Sequence, residues 1–116
     1  MPATMEVYRR NATDRGVVVD VNNVDNELTI TLNGQLLTKL DGPGGENDRF
    51  NRNVTEQLDR GENLMTFTLI NFHDNSPAGL DASVSVGAEK INLNQSSTAG
   101  AHQGCYYQAF IYLDRA

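Results

Sequence analysis

The chain contains no tryptophan and a single cysteine among its 116 residues. Cys105 alone cannot close an internal disulfide, so the fold has to hold without covalent staples. A chain of this length buries roughly two-thirds of the surface its unfolded form exposes, enough for one core and one domain over residues 1–116. Cations are scarce as well: 9 Lys and Arg stand against 15 Asp and Glu, a formal net charge of −6. Nucleic acid is gripped through a basic footprint that displaces counterions, so this balance argues against it as a partner. An anionic lipid surface is disfavoured for the same reason. No apolar run approaches the ~20 residues that a membrane helix needs, so no membrane insertion is expected. The segment Met1-Pro2-Ala3-Thr4-Met5-Glu6 has no basic region followed by an apolar core, and no secretion signal is expected in this chain. Residence in the cytoplasm, export by a route not visible here and trimming from a longer precursor all stay open.

What the sequence does have is turn chemistry between short alternating runs. Residues 28–32, Leu-Thr-Ile-Thr-Leu, alternate apolar and polar with period two, Asn33-Gly34 follows, and residues 35–40 continue extended. An Asn-Gly pair between such runs signals a two-residue hairpin, because a type I′ turn needs φ > 0 at both central positions. Residues 17–21 are nearly all valine and read as a central strand, with a loop at 22–26. Residues 5–9 form a candidate first strand, and 11–16 a turn. Residues 41–48 are the strongest breaker in the chain. Residues 50–58 fit either a strand or a short helical turn. Gly61 can supply a positive φ and Asn63 can bond the backbone of its own turn before the strand at 64–71. Residues 72–79 read as a loop, 80–86 and 89–93 as a second hairpin around Gly87-Ala88, 94–104 as a long polar loop, and 105–113 as an aromatic-rich final strand. The count predicts an all-β fold, a two-sheet jelly-roll β-sandwich of about eight short antiparallel strands.

Three of these segments carry a likeness to a known family. Asp25-Asn26 precedes the strand that ends in Asn33-Gly34. Asn53-Val54-Thr55 is followed by Leu58. Leu58-Asp59-Arg60-Gly61-Glu62-Asn63 leads into the strand at 64–71. This order resembles the galactose-binding-domain-like jelly rolls of carbohydrate-binding modules and of the sugar-binding domains of some glycosidases. The likeness spans about half the chain and implies a non-catalytic, lectin-like carbohydrate-binding module. The chain departs from the family in having no Trp for an exposed sugar-stacking loop and no counterpart of its calcium site near the amino terminus.

Candidate contacts follow from the chemistry of sugars. Hydroxyls are read by amides, carboxylates and imidazole, while an aromatic ring covers the apolar sugar face. Asn71, Phe72, His73, Asp74 and Asn75 offer all of these groups in one loop, with Tyr107 a further stacking candidate beside Phe72. The same loop also fits a surface turn capped by its own Asx residues. Asp20, Asn22 and Asp25 present oxygen ligands at which Ca²⁺ is conceivable, but the glycine of an EF-hand loop is missing, the spacing is off, and a solvated turn between strands is the favoured account. His102 and Cys105 invite a nucleophile reading, but one Cys and two His are too few for structural zinc, and Cys105 fits a small buried hydrophobe. The glycine loop at 42–45 lacks the lysine and helix of a phosphate loop. No carboxylate pair is singled out for glycoside hydrolysis. The expected function is carbohydrate binding without catalysis, with no obligatory cofactor and with homo-oligomers compensating for a shallow site. The rival expectation is a structural or partner-binding protein that self-assembles through sheet edges and has no sugar ligand.

Overall fold

The computed structural model describes residues 3–42, 48–73 and 76–116. In chain order the described elements are β1 (Thr4–Asn11), β2 (Val17–Leu32), β3 (Gln35–Gly42), β4 (Phe50–Asn53), a single 3₁₀ turn η1 (Thr55–Gln57), β5 (Gly61–Asn71), β6 (Ser76–Val86), β7 (Glu89–Asn92), β8 (Gln95–Ala101) and β9 (Gly104–Arg115). The fold is all-β, as the turn chemistry predicts. The nine strands found among the described residues fit the expectation of about eight, with two departures: β1 runs parallel to β9, and β2 extends over 16 residues.

β2 organises the rest. Its first part lies between β4 and β6, and its last part between β3 and β5. The strands therefore form one hydrogen-bonded path, β1-β9-β5-β2-β6-β7, with β3 and β4 attached to β2 and β8 to β6. The sequence reading breaks β2 with a loop at 22–26 because the apolar alternation fails there. The structure instead has a register shift between Val21 and Asn23 against β6. One extra residue in a strand reverses the side-chain phase. Val17, Val19 and Val21 are buried before the shift, and Val24, Leu28, Ile30 and Leu32 after it. The bulge thus keeps every apolar residue of β2 except Val18 on the core side while the strand passes from one set of neighbours to the other.

Both limbs feed a single core. β2, β5, β6 and β9 contribute Val19, Ile30, Met65, Phe67, Leu69, Val84, Tyr107 and Ile111, all fully buried. Each such side chain removed from water stabilises the fold by roughly 1.5–3 kcal/mol before entropy is charged against it. The alternation expected at 80–86 holds, with Leu80, Ala82, Val84 and Val86 buried.

Local chemistry sets the corners. Asn33 (φ 52°) and Gly34 (φ 80°) form the predicted two-residue turn between β2 and β3, and Gly61 (φ 89°) supplies the left-handed residue before β5. Residues 50–58 contain both alternatives foreseen for them, a four-residue strand and then η1. The segment at 94–104 is not a long loop: β8 pairs with β6 through its backbone, a pairing that small polar residues allow without any apolar alternation in the sequence. Most of the glycine-rich breaker, residues 43–47, lies outside the described residues. Among the described residues no helix is long and apolar enough to cross a membrane.

Candidate functional site

The loop after β5 is where the sequence places the sugar contacts, and the structure redistributes them. Asn71 is fully buried. Its Nδ2 donates to the carbonyls of His73 (2.9 Å) and His102 (3.1 Å), so the amide ties two loops together instead of facing a ligand. Tyr107 is also fully buried, which corrects its reading as a stacking surface. A register shift between Leu69 and Ile70 against β9 makes Tyr106 the extra residue, and both tyrosines turn to the core. Burial, and then a hydrogen bond donated to Glu6, push the Tyr107 phenol above its ordinary range. Phe72 stays 43% exposed, its N–H donating to Asn26 Oδ1 at 2.8 Å, and His73 is exposed beside it. Asp74 and Asn75 lie outside the described residues. Separate in sequence, His73 and His102 are brought to neighbouring loops by their shared partner Asn71.

The calcium candidates do not converge. Asp20 accepts hydrogen bonds from Asn22 Nδ2 (3.1 Å) and Asn51 Nδ2 (3.0 Å), and Asp25 accepts one from Asn26 Nδ2 (2.9 Å). Asp20 pairs with Ser83 and Asp25 with Gly79. Four positions along β6 put their backbones about 13 Å apart at ~3.3 Å per residue. The segment is strand, not loop, so its carboxylates cannot fold round one ion; burial also raises the Asp25 pKa, which disfavours the charged form a metal needs. Among the described residues no group of three or more His, Cys, Asp or Glu could hold a metal ion. Cys105 and His102 form no dyad: His102 Nε2 lies 2.9 Å from the Cys105 carbonyl, and the thiol points to the carbonyl of Tyr107 at 4.0 Å. Partial burial raises the Cys105 pKa, which works against a reactive thiolate.

A cleft that the sequence reading does not anticipate opens at the tip of the β2–β3 hairpin. It measures about 330 Å³ and is lined by Leu32, Asn33, Gln35, Leu36, Leu37, Gln57 and Asp59. One wall is the hairpin tip, and the other is η1 with the turn before β5. The walls are held at fixed separation by two asparagines. Asn63 is buried; its Oδ1 accepts from the Asp59 N–H (2.7 Å) and from Asn33 Nδ2 (2.8 Å), while its Nδ2 donates to the carbonyls of Asp59 (2.9 Å), Gly61 (3.1 Å) and Leu113 (3.2 Å). Asn33 completes the bridge by accepting from the Leu64 N–H at 2.8 Å. Arg115 Nη1 donates to the carbonyls of Thr55 (3.1 Å) and Leu58 (3.0 Å), fixing η1 from below. A preformed cleft spares a ligand the entropy of ordering it.

The chemistry of this cleft is amphipathic. Leu32 and Leu37 pack on the core, Leu36 is 64% exposed, and the amides of Asn33, Gln35 and Gln57 border them with the Asp59 carboxylate. A wider depression on the other side of η1, about 640 Å³, is lined by Gly16, Asn53, Thr55, Glu56 and Gln57, none of them an apolar side chain. The sequence reading treats Asn33 and the turn at 59–63 as separate corners. Their joining is a contact across 30 positions that no local pattern announces. Comparison with known proteins gives no further lead: no family model, curated protein or solved structure matches the chain.

Proposed function

We propose that this protein is a non-catalytic carbohydrate-binding module of the galactose-binding-like kind, with its saccharide site in the cleft at the β2–β3 hairpin tip. The observation that carries this reading is the meeting of the Gln35 and Gln57 amides and the Asp59 carboxylate above leucine side chains in one preformed cleft whose walls Asn33 holds. Amides and carboxylates present paired donors and acceptors that match vicinal hydroxyls. Leucines accept the C–H face of the ring. The volume of about 330 Å³ lies at the small end of ligand pockets, which suits one or two sugar rings rather than a long chain. No aromatic ring lines the cleft, so the affinity of each site is low.

The test is a titration of a mono- and disaccharide panel followed by backbone amide chemical shifts, paired with a glycan array. Shifts at Gln35, Gln57 and Asp59 are expected. Gln35→Ala and Gln57→Ala should each weaken binding about three- to tenfold, the worth of one or two neutral hydrogen bonds. His73→Ala, on the loop after β5, should leave it unchanged. Shifts confined to Phe72 and His73 would move the site to that loop, and silence across the panel at about 10 mM, weaker than any useful lectin-like contact, would end the carbohydrate reading.

A further inference from the structure

Half-solvated antiparallel sheets put polar residues outward. β9 and β5 break this rule. β9 buries Tyr107, Ala109, Ile111 and Leu113 on its core side and still carries Phe110 and Tyr112 on the other, with the Arg9 guanidinium 4.2 Å over the Tyr112 ring. β5 does so in part, with Met65, Phe67 and Leu69 inside and, outside, Leu64 and Ile70 flanking Thr66 and Thr68. Strands that are apolar on both faces are those covered on both faces. In line with these residues, the edge strand β1 exposes Met5 (60%) and Val7 (61%).

The register shows how these side chains align. Val7 lies beside Phe110, Phe110 beside Thr66, Thr66 beside Thr31, and Thr31 beside Leu36. This uncharged row crosses five strands. The hydroxyls of Thr31 and Thr66 bond each other, and Gln108 Nε2 donates to Thr68 Oγ1 at 3.3 Å, so the polar groups at the centre already have partners within the face. At its border Arg9 pairs with Glu62 at 3.6 Å and Lys39 with Glu27 at 3.5 Å, while Asp114 beside Glu62 and Asp41 beside Glu27 add two carboxylates outside these pairs.

We infer that this outer face of the β1-β9-β5-β2-β3 limb docks a second copy of the same chain, sheet against sheet. Charge selects the occupant. The chain carries −6 overall, so two copies repel least where charges are absent, and the row of Val7, Phe110, Thr66, Thr31 and Leu36 at the middle of this face carries none. A basic partner would be drawn to the acidic remainder of the surface. Strand spacing and rise per residue give the face a footprint of about 500 Å² per copy, about 1,000 Å² across the pair. That sits at the lower bound for a specific interface and implies a weak, concentration-dependent dimer with two-fold symmetry. The inference stands independently of the saccharide cleft.

Sedimentation velocity from about 5 to about 500 μM, the range in which an interface of this size associates, tests it on the intact chain. The wild type should move from monomer to dimer across that range. Thr66→Lys places a charge at the centre of the face, far from the β1 edge, and Val7→Lys places one at its margin. Each should weaken dimerisation at least about tenfold, because a lysine would have to be desolvated, while thermal melting confirms that the fold persists. Val7→Pro removes a backbone N–H from β1 and tests edge-to-edge pairing separately. A wild type that stays monomeric at the highest concentration overturns the inference. So does a dimer that survives Thr66→Lys but is lost with Val7→Pro, which would assign the contact to the strand edge.

Discussion

Tyr107 occupies a position that alternation assigns to the core, yet it carries a hydroxyl that must be satisfied there. It donates that hydroxyl to Glu6 on the neighbouring strand. Burial is the main reason its phenol resists ionisation, with the Glu6 hydrogen bond and the Glu6 charge adding to it. In the unfolded chain the same phenol titrates near its ordinary value of 10.0. Its contribution to stability is therefore complete below about pH 10 and is lost as pH rises above that, because the unfolded state releases its proton first. Tyr8, raised chiefly by desolvation, acts in the same direction. Melting temperature should fall between pH 9 and 11 more steeply in the wild type than in Tyr107→Phe, which keeps the ring and has no proton to lose. At pH 7 that variant should be less stable by about 1 kcal/mol, since Glu6 loses its donor. Equal slopes in the two proteins would show that Tyr107 does not control the alkaline limb. Asn71 teaches the same lesson: an amide that looks like a ligand contact in sequence can be consumed by backbone carbonyls, and only the burial of its strand end reveals it.

Elements were legible wherever a local rule decides them. The Asn33-Gly34 turn, the Gly61 corner, the second hairpin and the aromatic final strand all follow from turn chemistry and alternation. The long β2 and the strand β8 were not legible. A bulge imitates a loop because it interrupts the period, and small polar residues carry no apolar signal even when their backbone is paired. The cleft was missed for a related reason: its amides belong to two separate elements, and what joins them is Asn63. That one residue ties the turn before β5, the hairpin tip and the end of β9. Replacing it by alanine leaves the Asp59 N–H and several carbonyls without their partner in a buried place. Asn63→Ala should cost roughly 2–4 kcal/mol, read from chemical denaturation. Asn63→Asp retains acceptors but loses the Nδ2 donors and is expected to be similarly damaging. A loss below about 0.5 kcal/mol, the level of an ordinary surface change, would mean that water takes over these bonds and that the walls of the cleft are not fixed by this amide.

At the scale of the molecule the cleft and the sheet face adjoin at Leu36 and, under the two proposals, act on the same quantity. If the cleft takes a saccharide and the face pairs two copies, as proposed, a small cleft without an aromatic floor would bind each sugar weakly and the pairing would join two clefts into one particle. Two weak sites on one particle bind a surface bearing many glycans more tightly than either does alone, by the effective concentration that the first contact gives the second. Leu36 belongs to both regions, flooring the cleft and ending the row of the face, so a docked copy would lie close to the cleft mouth. Thr66→Lys separates the two effects because Thr66 lies outside the cleft. On a densely glycosylated sensor surface, the variant should show at least about tenfold weaker apparent binding than the wild type at concentrations where the latter dimerises. With a free saccharide in solution, where only one site is engaged at a time, the two proteins should bind alike. If Thr66→Lys lost free-saccharide binding as well, the face and the cleft would be one coupled site, and avidity would not be the reason for pairing. If it lost neither, the pairing would contribute nothing to recognition of the surface.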